Sequence, residues 1–444
     1  MVLPRSVQFC IDTLEKSGFS AYVVGGCVRD SLLGRMPHDY DLCTNAMPEE
    51  ISRIFGDFQQ VHSGEKHGTI GVVIDRTVYE ITTFRTEGGY QDSRHPDWVR
   101  FVGQVEEDLA RRDFTVNAMA YSPRTGYMDP YGGRADLQKQ VLRAVGAPAA
   151  RFTEDPLRIL RGVRFAVRFG LRPEAETEQA MVELAPLMDK LAKERVFDEL
   201  CKLLPRVTAS DLQRFSPILT AVIPELAPTV GFLQHNHHHA YDVFTHTAYT
   251  TEAVTADPVL RWAALLHDVG KPAAFTMDEQ GQGHFKGHAE LGAQMADAIL
   301  RRLKAPAALR EQVVFLIGHH MLQLEPDKKL LRRRVSRYGE QPIRQLLILQ
   351  RADYSSKGTG LHQDEGSFEQ TRQLLDRLME EEDCFAVKDL AVDGRDLLEL
   401  GFAPGPRVGA CLEQLLQQVL SEALPNEKDP LLQRAKEYLK EDVL

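Results

Sequence analysis

The sequence predicts an α+β amino-terminal part followed by an all-helical remainder, and two patterns support this fold class. Up to about residue 145, short runs rich in β-branched and aromatic residues, at Ala21–Val24, Thr69–Ile74 and Thr77–Thr83, mix with short helical patterns. From Arg151 onward, such runs almost vanish and apolar residues recur with a helical period. The helical patterns cover residues 154–169, 173–193, 258–269, 289–303, 311–319 and 344–352.

The size and composition of the chain are those of a soluble multidomain protein. Its 444 residues, 43% of them hydrophobic, can bury more than one core. The sequence has no charged-then-apolar leader and no run of about 20 apolar residues, and its six cysteines are scattered. We therefore expect a cytoplasmic protein with reduced thiols and no membrane segment.

The net charge of −11 by itself argues against a nucleic-acid partner, because phosphate binding usually requires a basic surface. The positions of the charges matter more than their sum. Arginine is concentrated at positions 111–112, 158–168 and 332–337, whereas acidic residues collect in stretches such as 380–383. A local track for RNA is therefore compatible with an acidic protein.

A phosphate site is indicated where the first predicted strand ends. Residues 22–24 run into Gly25 and Gly26, and a helical pattern that contains Arg29 follows. Glycines let backbone N–H groups approach an anion, a helix N-terminus adds a favourable dipole, and arginine supplies positive charge. For this segment alone, an ordinary Gly-Gly turn without a ligand is the alternative.

Three carboxylates in the α+β part are candidate metal ligands. Asp39 and Asp41 are two residues apart in the segment HDYDL, so on a strand they point to the same face. Such a pair repels unless a cation lies between its members, and carboxylate oxygens suit Mg²⁺ that carries substrate phosphates. Glu80 in the run Thr77–Thr83 is either a third metal-side carboxylate or part of the polar face of an edge strand.

The end of the α+β part contains further candidate binding residues. The polar segment 85–99 lacks periodicity and is expected to form a mobile loop near the site. Beyond it, Asp113 and Asn117 are four residues apart. On a helix they would share a face and read a sugar hydroxyl, while Arg111 meets phosphate.

The first segment of the all-helical part combines acidic residues with a row of arginines. Residues 153–156 (TEDP) predict a helix start. Glu154, Asp155, Arg158 and Arg161 then lie on polar faces of the helix. Asp155 and Arg158 are one turn apart, so they could present an acceptor and a forked donor to the edge of a nucleotide base. An ordinary ion pair between these two residues is the alternative.

Four of these segments together resemble the bacterial class II tRNA nucleotidyltransferases, the CCA-adding enzymes of the polymerase-β-like nucleotidyltransferase superfamily. They are VVGGCVRDSLLGR, DYDL, RRDFTVNAMA and EDPLRILRGVRFAVRFG. The resemblance implies a head with a mixed sheet, in which Asp39 and Asp41 hold Mg²⁺. It also implies nucleotide binding by Gly25, Gly26, Arg29, Arg111, Asp113, Asn117 and Arg161, and a template for CTP and ATP formed by Glu154, Asp155 and Arg158.

A second set of candidate ligands is rich in histidine. In chain order it contains His246, His267, Asp268, His288, His319, His320 and Asp353. Imidazole and carboxylate groups from separate helices are suitable ligands for a transition metal, although each histidine alone can equally be structural. The ordered set resembles the HD phosphohydrolase superfamily. That resemblance implies one metal, a transition metal or Mg²⁺, bound by His246, His267, Asp268 and Asp353, and a second bound by His288 and His319, or by His288 and His320.

The predicted organisation has four parts. They are a nucleotidyltransferase head (1–146), a helical neck for nucleotide selection and RNA binding (147–226), an HD metal-binding domain (227–355) and a C-terminal helical region (356–444). Within the last part, residues 390–415 resemble the C-terminal segment of the same enzymes, and either a glycine-rich turn meets RNA there or the segment packs as a helical hairpin. The histidines at 235 and 237–239 are interpreted as a solvated loop.

The implied function is template-independent addition of CCA to the 3′ end of tRNA from CTP and ATP, with release of pyrophosphate. HD-bearing relatives also imply phosphohydrolase activity at tRNA ends. A poly(A) polymerase shares the head motifs, and an enzyme that adds only CC or only A is a further alternative. From a different class, the protein could be an HD hydrolase that uses its head to dock RNA. The HD-like set and the form of the segment RRDFTVNAMA favour CCA addition over poly(A) synthesis.

Overall fold

The computed structural model describes residues 1–88, 98–236, 240–358, 365–381 and 384–441. The chain divides into two compact units. The first contains Met1–Pro224 with Arg302–Lys304, and the second contains Glu225–Arg301 and Ala305–Leu444. The division after Pro224 falls two residues before the predicted end of the neck at residue 226, whereas the other predicted boundaries remain proposals.

The first unit is built on a mixed sheet, as predicted. Its strands are β1 (Ala21–Val24), β2 (Asp41–Thr44), β3 (Gln60–Val61), β4 (Thr69–Ile74), β5 (Thr77–Thr83), β6 (Arg85–Gly88), β7 (Trp98–Phe101), β8 (Ala120–Ser122), β9 (Gly126–Met128), β10 (Val141–Leu142) and β11 (Arg172–Pro173). The main sheet has the order β3-β4-β5-β2-β1-β8-β9. The strands β2 and β5 are parallel, and the other neighbours in this sheet are antiparallel.

The predicted loop over residues 85–99 is wrong at both ends. There, β6 and β7 form an antiparallel pair in which Arg85 lies opposite Phe101 and Gly88 opposite Trp98. Cross-strand pairing therefore orders these residues despite their polar sequence. The middle of the predicted loop, residues 89–97, lies outside the described residues.

The helices of the first unit cover the sheet and then form the predicted neck. They are α1 (Arg5–Lys16), α2 (Gly26–Leu32), α3 (Pro48–Ile54), α4 (Val105–Ala110), α5 (Gly133–Gln138), α6 (Pro148–Glu154), α7 (Leu157–Phe169), α8 (Ala175–Glu183), α9 (Lys193–Leu203), α10 (Ala209–Arg214) and α11 (Ser216–Val222). A buried cluster of the first unit includes Val24, Phe84, Val105 and Leu109. It joins β1, α4 and the residue after β5.

A helix begins at the predicted start, residues 153–156, but another helix, which was not predicted, ends in the same segment. Glu154 is the last residue of α6, and Asp155 has an extended backbone with φ −138° and ψ 98°. Pro156 then precedes α7. Since proline disfavours helical geometry in the residue before it, Asp155 is the position where the chain breaks.

The second unit is predominantly helical, with one short antiparallel pair formed by β12 (Thr276–Met277) and β13 (Gly283–His284). Its helices are α12 (Val243–Ala253), α13 (Pro258–Leu266), α14 (Lys271–Ala274), α15 (His288–Arg302), α16 (Ala307–His319), α17 (Lys328–Tyr338), α18 (Glu340–Ser355), α19 (Glu365–Glu380), α20 (Gly394–Glu399), α21 (Pro406–Leu420) and α22 (Lys428–Glu441). The predicted helix over 258–269 ends earlier, at Leu266, and Pro272 lies inside α14.

The last helices of the second unit pack around their own apolar core. Leu397, Leu415 and Leu431, from α20, α21 and α22, are fully buried in one cluster. The segment 390–415 thus packs as part of a helical hairpin. Within the described parts of the chain, no helix combines the length and apolar character that crossing a membrane requires.

Candidate active site and metal centre

A cavity of about 640 Å³ in the first unit collects most of the predicted head and neck residues. Its volume is in the range of small-molecule sites. The polar residues that line it are Gly25, Gly26, Arg29, Asp39, Asp41, Arg111, Arg112, Asp113, Asn117, Asp155, Arg158, Arg161, Arg164, Arg168 and Arg195. Eight arginines against four aspartates make this cavity suited to a polyanionic ligand.

The turn between β1 and α2 allows the chain to approach this cavity closely. Gly25 has a φ of +73°, a conformation that favours glycine. A Cβ atom at Gly25 would lie 2.7 Å from Nη1 of Arg112, so a side chain here would displace that guanidinium group. The sequence identified the glycine turn, and the structure shows that the turn lines the cavity and makes room for Arg112.

The two aspartates of the segment HDYDL both line this cavity, although only Asp41 belongs to a strand. Asp39 precedes β2, and Asp41 is its first residue. Desolvation in the concave cleft raises the pKa of Asp41, and the neighbouring Asp39 adds to this effect while Arg112 opposes it. A carboxylate pair of this kind is stabilised by a bound cation, so these two residues fit a divalent metal.

Glu80 lies beside the same pair. Asp39, Asp41 and Glu80 together line a second cavity. Strands β2 and β5 run parallel with Leu42 opposite Ile81, so Asp41 and Glu80 occupy corresponding positions one residue before that pair. This placement is compatible with a third metal-side carboxylate, and that role remains a proposal.

A chain of hydrogen bonds connects the predicted phosphate and ribose residues. Arg29 is buried and donates to Oδ1 of Asn117. Nδ2 of Asn117 donates to Asp113 at 3.1 Å, and Nη2 of Arg161 lies 2.7 Å from the other Asp113 oxygen. Burial would raise the pKa of Asp113, but Arg161 and Asn117 hold it at about 2. The carboxylate is therefore ionised and fixed in place.

The local structure around Asp113 differs from the expected helix. Asp113 precedes a short 3₁₀ turn at Thr115–Asn117, and Val145 N donates to the Asp113 carbonyl at 3.1 Å. The two side chains nevertheless meet, because the tight turn brings Asn117 back toward Asp113. The predicted helix is therefore wrong, and both side chains still line the cavity.

Asp108 is a residue of this site that was not predicted from the sequence. It is fully buried within α4 and pairs with Arg111 at 2.9 Å and with Arg112 at 3.3 Å. Burial acts to raise the pKa of Asp108, but the two arginines outweigh it and lower the pKa. Asp108 therefore positions both guanidinium groups at the cavity.

The three proposed template residues have different surroundings. Arg158 pairs with Glu154 at 2.8 Å, and its other donors reach the carbonyl groups of Arg111 and Arg151. Asp155 pairs with Arg195 at 3.0 Å, not with Arg158, so the alternative of a simple Asp155–Arg158 pair is absent. Asp155 and Arg158 line the cavity. Glu154 does not line it but holds Arg158 through their ion pair. Arg195, from α9, was not anticipated.

The second unit brings six of the predicted HD residues together. His246, His267 and Asp268 form one group whose ligand atoms lie within 4.8 Å of one another, and Asp268, His288 and His320 form another. Asp268 is common to both groups. Asp353 joins the first group, with Oδ1 2.9 Å from Nε2 of His246.

The imidazole rings of this cluster are oriented by backbone carbonyl groups. Nδ1 lies 2.8 Å from the Ala264 carbonyl oxygen in His267, 2.7 Å from that of Phe285 in His288 and 2.7 Å from that of Ile317 in His320. A carbonyl oxygen can only accept, so each Nδ1 carries the proton. In the neutral ring the lone pair is then on Nε2, which faces the cluster.

The fit to a cation is clearest between His288 and His320. Their Nε2 atoms lie 3.2 Å apart. Burial lowers the pKa of His288, and burial together with His267 lowers that of His320 to about 4, so both rings are neutral at pH 7. Two lone pairs that face each other repel, and a metal ion between them would remove the repulsion.

The acidic residues of the cluster are ionised. Burial opposes ionisation of Asp268, but His267 and Lys271 hold its pKa well below the usual range. Oδ2 of Asp268 is buried without a hydrogen bond of good geometry, although Nζ of Lys271 lies 2.7 Å away. An ionised, incompletely satisfied oxygen among imidazole nitrogens completes a donor set for a divalent metal. Lys271, which was not among the predicted residues, is part of this site.

The expectation for His319 is corrected in favour of His320. His319 stacks on Phe315 with ring centroids 4.3 Å apart and contacts Tyr338, and it belongs to neither group of candidate ligands. His320 directly follows α16 and is buried beside His288. The adjacent positions differ by about 100° around a helix, so only one of the two rings can face the cluster.

An open cavity gives access to this cluster from solvent. His320 and Asp353 form part of its wall, together with Tyr354, Lys357 and Phe368. Phe368 belongs to α19, beyond the predicted end of the HD domain at residue 355. A substrate could therefore reach the candidate metal ligands from this side. His235 contacts Phe275, and the remaining histidines of the predicted solvated loop lie outside the described residues.

Family models match three segments of the chain. The "Poly A polymerase head domain" matches residues 21–143, the "Probable RNA and SrmB- binding site of polymerase A" matches residues 170–227, and the "HD domain" matches residues 237–358. Residues 144–169, which include α7 with Arg158 and Arg161, lie outside the three matched segments.

Full-length relatives cover the whole arrangement. The CCA-adding enzyme of Levilactobacillus brevis is 34% identical over 422 residues, which are 95% of each chain, and that of Lactiplantibacillus plantarum is 32% identical over 441 residues, 96% of this chain and 94% of its own. The crystal structure of the Bacillus stearothermophilus CCA-adding enzyme in complex with CTP aligns over 100% of this chain and 99% of its own, with a TM-score of 0.72 and 28% identity. The Thermotoga maritima enzyme complexed with tRNA_CCA aligns over 99% of this chain and 96% of its own, with a TM-score of 0.59 and 19% identity, and supports the fold alone. The chain belongs to the family of CCA-adding enzymes.

Proposed function

We propose that the protein adds the nucleotides C, C and A to the 3′ end of tRNA, with CTP and ATP as substrates and pyrophosphate as the product. The observation that carries this proposal is the arginine-rich cavity, in which Asp39 and Asp41 face Arg29, Asp113 and Arg158. The relatives named as CCA-adding enzymes, and the similar structure in complex with CTP, support the same assignment.

The reaction forms a bond between the tRNA 3′ oxygen and the α-phosphorus of the nucleotide and breaks the bond to pyrophosphate. Mg²⁺ held by Asp39 and Asp41 would polarise the phosphate and stabilise the departing pyrophosphate. Arg29, Arg111 and Arg112 supply fixed positive charge for the triphosphate. Asp108 holds Arg111 and Arg112 in place. Asp113, held ionised by Arg161, accepts a hydrogen bond from the ribose.

Nucleotide choice is proposed to rest on Asp155 and Arg158. Asp155 offers acceptors and Arg158 offers donors, and each is fixed by a partner: Arg195 for Asp155 and Glu154 for Arg158. A base with the wrong edge leaves buried donors or acceptors unpaired, which is energetically unfavourable. Because the side chains are anchored, the site can select a base without a nucleic-acid template.

A length assay tests the function. Purified protein is incubated with Mg²⁺ and a tRNA that lacks its last three nucleotides, with CTP alone, ATP alone or both, and products are resolved at single-nucleotide length. We expect two additions with CTP alone and a stop after three with both nucleotides. Long adenosine tails would instead support a poly(A) polymerase, and a reaction confined to C or to A would support a partial enzyme.

For the second unit we propose a metal-dependent phosphohydrolase that acts on phosphate esters. The observation that carries it is the pair of ligand groups that share Asp268, beside an open cavity. A metal bound by these residues would activate water. His267, His288 and His320 are held by backbone carbonyls with Nε2 toward that position.

Release of inorganic phosphate from RNA with a 3′-terminal phosphate tests this second proposal. Protein loaded with Mn²⁺, Ni²⁺ or Mg²⁺ in parallel should release phosphate with at least one metal, and Asp268→Ala should lose that activity. Asp41→Ala serves as the control because it leaves the histidine cluster intact. Equal release by wild type and Asp268→Ala would assign the activity to a contaminant.

A further inference from the structure

The helix α17 carries more positive charge than its packing uses. Its sequence, KKLLRRRVSRY, holds six basic residues and no acidic one. The chain as a whole has a net charge of −11, so this helix is a local exception. It is anchored by buried Leu331 and Val335 and by Asp327, whose side chain accepts from Leu330 N.

Five of the six basic residues of α17 fall into two rows, and the sixth, Arg334, is half-buried. Lys328 and Arg332 face acidic partners: Lys328 lies 3.7 Å from Glu381 and 3.7 Å from Glu422, and Arg332 lies 4.0 Å from Glu422. Arg332 is buried. This row therefore has a structural explanation, because it attaches the helix to its neighbours.

The second row, which we call the basic stripe, consists of Lys329, Arg333 and Arg337. All three are exposed, and they follow one another at intervals of four residues, so they lie along one face about 6 Å apart per step. None forms an ion pair with a residue of the described chain, and Arg337 contacts only the ring of Tyr338, at 5.1 Å. Like charges at this spacing weaken a helix, and no ion pair with the described residues offsets this cost.

We propose that the basic stripe binds the phosphate backbone of the RNA substrate, a role that rests on the proposed function in tRNA maturation. A straight row of exposed cations matches the regular charges of one RNA strand, and phosphate contacts carry affinity without requiring a base sequence. On an otherwise acidic protein, a local cationic row of this kind compensates for the general repulsion of a polyanion.

The test is equilibrium binding of a tRNA that lacks its terminal three nucleotides, measured over a range of salt concentrations. The variant combines Lys329→Gln, Arg333→Gln and Arg337→Gln. The matched control combines Lys388→Gln, Lys436→Gln and Lys440→Gln, which removes the same charge from exposed positions of the same unit. Thermal melting of both variants verifies that the fold is retained.

We expect the stripe variant to bind roughly tenfold more weakly near 100 mM salt, and its slope of log affinity against log salt to be shallower by about two to three. The control should remain within about twofold of wild type. In the addition assay the stripe variant should have a higher KM for tRNA than wild type. Its kcat at saturating tRNA and its KM for CTP should stay unchanged.

Equal affinity and equal salt slope in the stripe variant and the control would overturn the inference and leave the stripe as a solvated face. That outcome is distinguishable from failure of the proposed function. If wild-type protein adds no nucleotide to any RNA, the function is wrong whatever the stripe does. If wild type adds CCA and the stripe variant has an unchanged KM for tRNA, only the stripe assignment is wrong.

Discussion

The two candidate sites of this protein suit ligands of opposite charge and fix their ionisable side chains with different partners. In the first unit, eight arginines surround four aspartates, and Asp113 and Asp155 are each paired with an arginine. In the second unit, imidazoles anchored through Nδ1 surround one shared aspartate. The first arrangement suits a mobile polyanion with its metal, and the second suits a resident cation. Ionisable side chains alone do not define a site, because the partner that fixes each one determines what it binds.

Replacing Asp41 tests the carboxylate metal site in the cavity of the first unit. It has the largest expected effect. Asp41→Asn keeps the shape and removes the charge, so nucleotide addition should fall at least about 10³-fold, corresponding to several kcal/mol of lost metal stabilisation. Because burial and Asp39 raise the pKa of Asp41, loss of its charge should not lower the melting temperature in the absence of Mg²⁺. Addition rates and melting curves check both points, and undiminished addition would remove Asp41 from the metal site.

Replacing Asp268 tests the histidine cluster of the second unit as a metal site. Since both ligand groups share this residue, Asp268→Asn should remove most of the metal that survives desalting, while CCA addition stays within about twofold of wild type. Metal content by mass spectrometry is the measurement. His319→Ala is the matched control and should retain the metal, whereas His320→Ala should lose part of it. Retention of metal by His320→Ala together with loss by His319→Ala would reverse the correction made above.

A smaller effect is expected from Glu154, which supports Arg158 without lining the cavity. In Glu154→Gln, Arg158 keeps its two carbonyl partners but loses its ion pair, so the KM for CTP should rise about tenfold and misincorporation of UTP should increase. Steady-state kinetics with each nucleotide measures this. Arg151→Gln removes the other partner of Glu154 and should change selectivity less. Unaltered selectivity in Glu154→Gln would show that Arg158 needs no support.

The smallest expected effect concerns acid stability. Asp113 has a pKa of about 2 in the folded protein against an ordinary 3.8, so its ionised form stabilises the fold above about pH 4, and this contribution disappears as the pH falls toward 2. It amounts to about 2–3 kcal/mol at neutral pH. Asp113→Asn should therefore melt at a lower temperature than wild type at pH 7, and the difference should shrink at pH 2.5. A difference that does not change with pH would contradict the proposed ionisation.

The contiguous parts of the first site could be predicted from the sequence. Gly25, Asp39 and Asp41 lie close in sequence, and their types alone indicate phosphate and metal chemistry. The partners that fix the site could not be found this way. Asp108 and Arg195 reach the cavity from α4 and α9, and no local pattern shows that α9 packs against α7.

Two errors could have been avoided from the sequence. Asp155 precedes Pro156, which disfavours a helical backbone at Asp155, so one continuous helix through residues 154–169 was not the best prediction. His320 follows the buried residues Val313, Leu316 and Ile317 at intervals of seven, four and three, so it shares their face of the helix. His319 does not, and the helical period therefore favours His320 as the inward residue.

The separation of the two sites can be tested most directly with metal-stripped protein. After a chelator has removed all metal, Mg²⁺ alone is returned, and CCA addition and transition-metal content are measured on the same sample. The proposed division predicts full recovery of addition while the histidine cluster remains without transition metal. Recovery that requires a transition metal, with Mg²⁺ alone ineffective, would contradict it and make the histidine cluster a part of the addition reaction.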